Sequence, residues 1–221
     1  MNAYFITGTD TGVGKTFVTC ALLRRFAQDG MACVGMKPVA AGVDANGEND
    51  DVVLLRAASN VKADANLINP YSFTSPIAPQ LAALEEGREI RFAPIRRALD
   101  ELAVQSDVVC VEGVGGFRVP LGPDGDSADL ARVLDLPVIL VVGMRLGCLN
   151  HAMLTYEAIQ ARGLVLAGWV ANCVNPDMLR RDENIAALSK MISSPLLGVI
   201  GFQSSTDMAG VEQAAQQLQL P

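Results

Sequence analysis

The sequence predicts an α/β fold: a mainly parallel β-sheet with helices on both faces, in three layers. Three observations predict it. Short runs rich in Val, Ile and Leu recur along the 221 residues, and they are continuous rather than alternating with polar residues. A strand that is apolar on both sides is covered on both sides. Helical patterns follow most of these runs, and strand–helix alternation builds a parallel sheet. Half of the residues are hydrophobic and only 19% are charged, which supplies a sizeable core and argues against a disordered chain.

The predicted strands are residues 3–7, 33–37, 107–111, 137–142, 164–171 and 195–200. The first is followed by a helix at 15–28, with Val18, Ala21, Leu22 and Phe26 on one face and Gly30 as its stop. Two or three helices separate the second and third strands, including 79–86 and 94–105. Helices at 147–161 and 176–192 follow the fourth and fifth strands. No repeat, low-complexity tract or linker divides the chain, so residues 1–221 read as one domain. Two polar, glycine-bearing loops, 41–50 and 113–126, are long for a compact domain, and long loops are more often functional than idle.

In open α/β sheets, ligands sit beyond the carboxyl ends of the strands. Here the strands end at Gly8, Lys37, Glu112, Gly143, Asn172 and Gly201. A lysine, a glutamate and an asparagine are thereby expected at one rim.

The net charge of −7 is a poor match for nucleic acid, which needs a basic face. The cysteines, at 20, 33, 110, 148 and 173, are odd in number, widely spaced and without a C-x-x-C pair. That suggests neither a disulfide framework nor a zinc site, and points to a reducing compartment. The N-terminus has no basic region before the first strand, and no apolar run approaches the roughly 18 residues of a membrane span. The expectation is a cytoplasmic protein with no membrane or nucleic-acid partner.

The first rim segment is G-T-D-T-G-V-G-K-T, Gly8 to Thr16. Gly12 and Gly14 let backbone N–H groups face an anion without a Cβ in the way. The helix that follows adds its free N–H groups and positive end. Lys15 can reach the outer phosphates of a nucleotide, and the Thr16 hydroxyl can ligate Mg²⁺. This is a phosphate-binding loop with one irregularity: five residues, Thr9 to Val13, separate Gly8 from Gly14-Lys15-Thr16, where the common pattern has four.

Two kinds of phosphate-loop protein are the candidates for such a loop. ATPases of the partitioning and nitrogenase-iron-protein type carry a second lysine five positions before the main one, where this chain has Asp10. The string G-T-D-T-x-V-G-K-T instead resembles the dethiobiotin synthetases of the biotin pathway. The resemblance continues through K-P-V-A-A-G at 37–42, N-D-D at 49–51, V-E-G-V-G-G at 111–116, P-V-I-L-V-V-G-M-R-L-G-C-L-N-H at 137–151 and L-A-G-W-V-A-N at 166–172. It covers nearly the whole chain.

The resemblance implies a P-loop NTPase-like fold and an ATP- and Mg²⁺-dependent cyclo-ligase. Its substrates would be 7,8-diaminopelargonate, CO₂ or bicarbonate, and ATP. It implies catalytic roles for Lys15, Lys37 and Thr11, the two lysines forming an electrostatic clamp on the transferring phosphoryl group. Thr16, Asp51 and Glu112 match the family's metal positions, with the adjacent Asp50 as the competitor of Asp51. Gly12, Val13, Gly14, Lys15, Thr16 and Phe17 would surround the phosphates, together with Gly113, Val114 and Gly115 beside Glu112. Asn172, whose amide both donates and accepts, would meet the adenine, flanked by Gly201, Phe202 and Gln203. Ala41 stands at a substrate position where relatives often have serine, Gly201 where they commonly have proline, and Gly12 where they often have a bulkier or acidic residue. Leu146, Gly147 and Asn150 would take the substrate's distal carboxylate across a homodimer interface. Asp10 would orient a lysine or a magnesium-bound water. His151, the single histidine, is read as a helix-face residue rather than a general base.

Two other readings stand beside this one. A glutamine-dependent amidoligase of the cobyrinate type normally carries a glutaminase domain, for which no residues remain. A nucleotide-dependent switch ATPase of the partitioning type would turn over ATP without the diamine, whereas the synthetase would require it.

Overall fold

The computed structural model describes residues 2–203 and 205–221. In chain order the elements are β1 (Asn2–Gly8), α1 (Lys15–Gln28), β2 (Cys33–Met36), β3 (Val39–Ala41), α2 (Asp50–Ala58), α3 (Ala65–Ile68) and β4 (Tyr71–Phe73). There follow α4 (Pro79–Glu85), α5 (Phe92–Gln105), β5 (Val108–Glu112), β6 (Pro120–Gly122), β7 (Gly125–Asp126) and α6 (Ser127–Leu134). The last third holds β8 (Val138–Gly143), α7 (Cys148–Ala161), β9 (Leu166–Asn172), α8 (Arg181–Met191), β10 (Leu196–Ile200) and α9 (Met208–Ala215).

Six strands form one sheet in the order β10-β9-β8-β1-β5-β2, and every pairing in it is parallel. Alternate strand residues feed two separate cores, which explains why the runs are continuously apolar. Phe5, Val109, Val111, Leu140 and Trp169 enter one layer, packed by α3 to α8. Their neighbours Ile6, Val108, Cys110, Ile139 and Val170 enter the other, packed by α1, α2 and α9. A side-chain period of two allows no other arrangement for a strand buried on both faces.

The six predicted strands and the helix at 15–28 occur where the pattern put them, with ends shifted by at most two residues. Two helix starts differ by two residues or more. Helix α5 begins at Phe92, two residues before Pro94, because N–H groups of a first turn lack helical partners and proline loses nothing there. Helix α8 begins at Arg181, not at 176: Asn175 accepts from the Asp177 N–H in a local turn, and Arg180 enters the helix through a left-handed φ of 56°.

Helices α2, α6 and α9 were not bounded by the sequence reading. Their starts are written in side-chain caps. The Asn49 side chain accepts from Asp51 and Val52 N–H groups, Asp126 and Asp129 form a reciprocal capping box, and Asp207 accepts from Gly210 N–H. The loop at 41–50 is thus shorter than expected and ends in a helix. The loop at 113–126 contains the antiparallel pair β6–β7. All five cysteines are buried and free. No described helix is long and apolar enough to cross a membrane.

Candidate active site

Because the sheet is parallel, the carboxyl ends of its six strands share one edge, and the Gly8–Thr16 loop leaves that edge from β1. The loop is plugged into the sheet by Val13. A Cβ on Gly8 would lie 2.6 Å from Val13 Cγ2 and a Cβ on Gly143, at the end of β8, 2.8 Å from Val13 Cγ1. The two glycines therefore make a socket for Val13, and the Lys15 stem also packs over Gly8. Gly14 caps α1 with a φ of 84°, and its missing Cβ would sit 2.2 Å from Asn172 Nδ2. Gly14→Ala combines a left-handed backbone, worth about 1–2 kcal/mol against alanine, with that overlap. It is expected to lower the urea unfolding midpoint and to abolish nucleotide binding, measured by calorimetry.

Beside the loop lies a buried charge cluster. Lys37 leaves the end of β2 and donates to Glu112 Oε1 at 2.6 Å, to Asp51 Oδ2 at 2.7 Å and to the Gly113 carbonyl at 3.3 Å. Its side chain is 4% exposed and that of Glu112 0%. Thr16 Oγ1 lies 2.8 Å from both Asp51 Oδ1 and Glu112 Oε1; with one proton it donates to one of them at a time. Strand order brings these groups together: β5 runs between β1 and β2, so Glu112 stands beside both. Asp51 arrives from the first turn of α2, and Asp50, one residue earlier, is exposed. Of the two adjacent aspartates, Asp51 faces Thr16 and Lys37.

Burial by itself would lower the pKa of Lys37, but Glu112 and Asp51 outweigh it and hold the pKa above the ordinary lysine value. Asp51 is partly buried, which by itself would raise its pKa, but the Lys37 charge with hydrogen bonds from Lys37 and Thr16 brings its carboxyl below the usual range. Lys15 behaves in the opposite way. Burial, and then the neighbouring Lys37 charge, lower its pKa to about 8. In this structure its Nζ donates to the Asp10 carbonyl at 3.0 Å. A protonated Lys15 is the form that attracts phosphate, so nucleotide affinity is expected to be flat below pH 8. Above it, binding must take up a proton, and affinity should fall towards about tenfold per pH unit. Calorimetry in two buffers of different ionisation enthalpy would detect that proton.

Glu112 Oε2 is buried and has no hydrogen-bond partner. A carboxylate oxygen left bare in a polar, charged site is suited to a cation. Among the described residues no group of three or more His, Cys, Asp or Glu side chains could hold a metal unaided. Two carboxylates and the Thr16 hydroxyl form a partial oxygen set, which is how Mg²⁺ is usually held, the rest of its shell coming from phosphate and water.

These groups open on a cavity of about 910 Å³, lined by Thr11, Gly12, Gly14, Lys15, Thr16, Phe17, Lys37, Ala41, Asp51, Glu112, Val114 and Gly115. Val13 lies beneath it, and Gly113 takes part through its carbonyl. Asn172 is buried at the end of β9, where its Nδ2 donates to the Val13 carbonyl at 2.9 Å. One amide proton and Oδ1 are left for another partner. Gly201, Phe202 and Gln203 stand off the cavity. Gly201 N–H donates to Gln217 Oε1 at 3.1 Å, a bond that a proline at this position would lack. Leu146, Gly147 and Asn150 are exposed and outside the cavity, Leu146 being 96% exposed. His151 lies in the first turn of α7, also away from it.

Two contributions were missed by the sequence reading. One is the cavity wall formed by Pro76-Ile77-Ala78-Pro79. Its signal was the pair of prolines three residues apart, which stiffens a turn. The other is Arg145, whose guanidinium pairs with Asp10; nothing local in the sequence links positions 135 residues apart.

The AAA domain family model matches residues 2–209. A protein of Aromatoleum aromaticum named ATP-dependent dethiobiotin synthetase BioD is 57% identical, covering 99% of this chain and 97% of that one. Proteins of the same name from Nitrosospira multiformis and Xylella fastidiosa are 53% and 47% identical, over 92% and 90% of this chain and 90% and 89% of their own lengths. Among solved structures, the MinC:MinD cell division complex of Aquifex aeolicus aligns with a TM-score of 0.60 at 13% identity, covering 98% of this chain and 92% of that one. The Pyrococcus furiosus cell division ATPase MinD aligns at 0.58 and 15% identity, over 98% of each chain. At such identities the likeness is one of fold alone: the P-loop NTPase-like α/β architecture.

Proposed function

This chain belongs to the ATP-dependent dethiobiotin synthetase family, enzymes of biotin biosynthesis, and we propose that it closes the ureido ring of dethiobiotin through a phosphorylated carbamate. One amine of 7,8-diaminopelargonate adds to CO₂ and loses a proton, giving a carbamate. A carbamate oxygen attacks the γ-phosphorus of ATP and ADP leaves. The second amine attacks the carbonyl carbon of the resulting anhydride and loses a proton, phosphate leaves, and the ring closes.

The observation that carries this reading is the buried Lys37–Glu112–Asp51 cluster beside the glycine loop. Phosphoryl transfer asks for positioning and charge neutralisation more than covalent help. Lys37, kept protonated by its two carboxylates, meets the carbamate and the transferring phosphoryl group. Lys15 leaves the Asp10 carbonyl for the outer phosphates, with the loop N–H groups of Gly12 to Thr16 around them. Thr11, exposed at the cavity mouth, donates to the carbamate. Thr16, Asp51 and Glu112 would hold Mg²⁺, which neutralises phosphate charge when bound. Asn172 meets the adenine with the donor and acceptor left over from its bond to Val13, and Gly201 to Gln203 flank the base. Ala41 offers no side-chain hydrogen bond to the diamine.

The exposed Leu146, Gly147 and Asn150 suit a surface completed by a second subunit. The chain acts as a homodimer in which this segment takes the distal carboxylate of the partner's substrate. Residues 1–221 act as a single ATP-binding synthetase domain, in the cytoplasm.

The test is direct. Purified protein, 7,8-diaminopelargonate, bicarbonate and MgATP are mixed, dethiobiotin is read by mass spectrometry and ADP is followed in parallel. Dethiobiotin formed only with all components is the expected result. ADP formed without the diamine, and no dethiobiotin, would overturn the reading.

A further inference from the structure

Asp10 makes three polar contacts in the site. Its Oδ1 accepts the Thr11 N–H at 2.7 Å, its carbonyl accepts Lys15 Nζ at 3.0 Å, and its Oδ2 takes the Arg145 guanidinium at 2.5 Å. Arg145 is held from behind. Met144 N–H donates to the Asn172 carbonyl at 2.7 Å, and the Arg145 carbonyl accepts Cys148 N–H at 3.0 Å in the turn that opens α7. The guanidinium thus comes from a fixed backbone, while Asp10 belongs to the phosphate loop itself and lines its cavity.

A carboxylate in an anion site opposes its ligand unless something neutralises it. Arg145 is the cation paired with Asp10, and both side chains are partly exposed, at 38% and 49%. We propose that Arg145 is a positioning residue for the phosphate loop: it cancels the Asp10 charge and fixes the carboxylate that orients the Thr11 N–H. It acts through Asp10 and does not touch the nucleotide. The inference rests on the nucleotide site proposed above, but not on the identity of the second substrate.

The test is equilibrium binding of MgATP, without diamine, by calorimetry. Arg145→Ala is expected to weaken binding about tenfold at 0.1 M salt, and less at 1 M, since partly exposed charges are screened. Arg145→Lys should stay within about threefold of wild type, because it keeps the charge but loses the planar fork. In the Arg145→Ala background, Asp10→Asn removes the exposed charge while keeping an oxygen for Thr11, and should restore most of the lost affinity. Unchanged affinity in Arg145→Ala would overturn the proposal. So would a loss that Asp10→Asn does not repair, since that would place the guanidinium on the nucleotide itself. This pattern among the variants, with wild-type protein that makes no dethiobiotin, would sink the synthetase reading and leave this one standing.

Discussion

Lys37→Ala is expected to lower kcat by about a thousandfold with a much smaller change in the KM for ATP, measured by coupled ADP release at saturating diamine and bicarbonate. The reasoning is differential. Lys15 and the loop amides bind the nucleotide in the ground state, whereas Lys37 faces charge that develops between carbamate and γ-phosphate. A rise in KM with unchanged kcat would remove Lys37 from the transition state. The same substitution strips the cation from a fully buried Glu112, and breaking a buried pair on one side costs about 3–5 kcal/mol. Urea unfolding should show that loss, and millimolar Mg²⁺ should return part of it by supplying a replacement positive charge. A stability loss indifferent to Mg²⁺ would argue against a metal role for Glu112.

Glu112→Gln is expected to lower kcat/KM by about a hundredfold or more and to weaken the binding of Mn²⁺, used as a paramagnetic substitute for Mg²⁺, in the presence of ADP. The amide keeps the size of the side chain, so the fold should survive. A second consequence follows through Lys37. Glu112 is the larger of the two influences that raise the lysine pKa against burial. Without it the raised value falls, Lys37 loses its proton at lower pH, and the alkaline limb of the pH–rate profile moves towards neutrality. Mn²⁺ binding equal to wild type would remove Glu112 from the metal site.

The phosphate loop was legible because its chemistry is local. Glycines at 12 and 14, the lysine and the threonine sit at fixed offsets between a strand and a helix, and the backbone does the rest. The sheet was legible because burial on both faces forces continuous apolar runs. Helix α2 was harder. Its apolar face is narrow, with only Leu55 and Ala58 buried, and the sign of its start was the Asn49 cap. Helix α6 begins directly after the loop at 113–126, and its start was the Asp126–Asp129 box. The cavity wall at Pro76 to Pro79 left no trace of what it faces, because nothing local says which loop stands across a cleft.

What this chain determines by sequence alone is everything governed by neighbours a few residues away. That includes the loop and its cation, the strands, most of the helices, and the fact that lysine, glutamate and asparagine each end a strand. What the tertiary structure decided is which of these ends touch. Thr16 reaches Glu112 across 96 positions and Lys37 reaches it across 75, because β5 lies between β1 and β2. Strand order is a property of how the two cores pack, and no local pattern encodes it. The choice of Asp51 over Asp50 is of the same kind. Both open α2 with the same chemistry, and only the rotation of the helix against the sheet turns one of them towards Lys37.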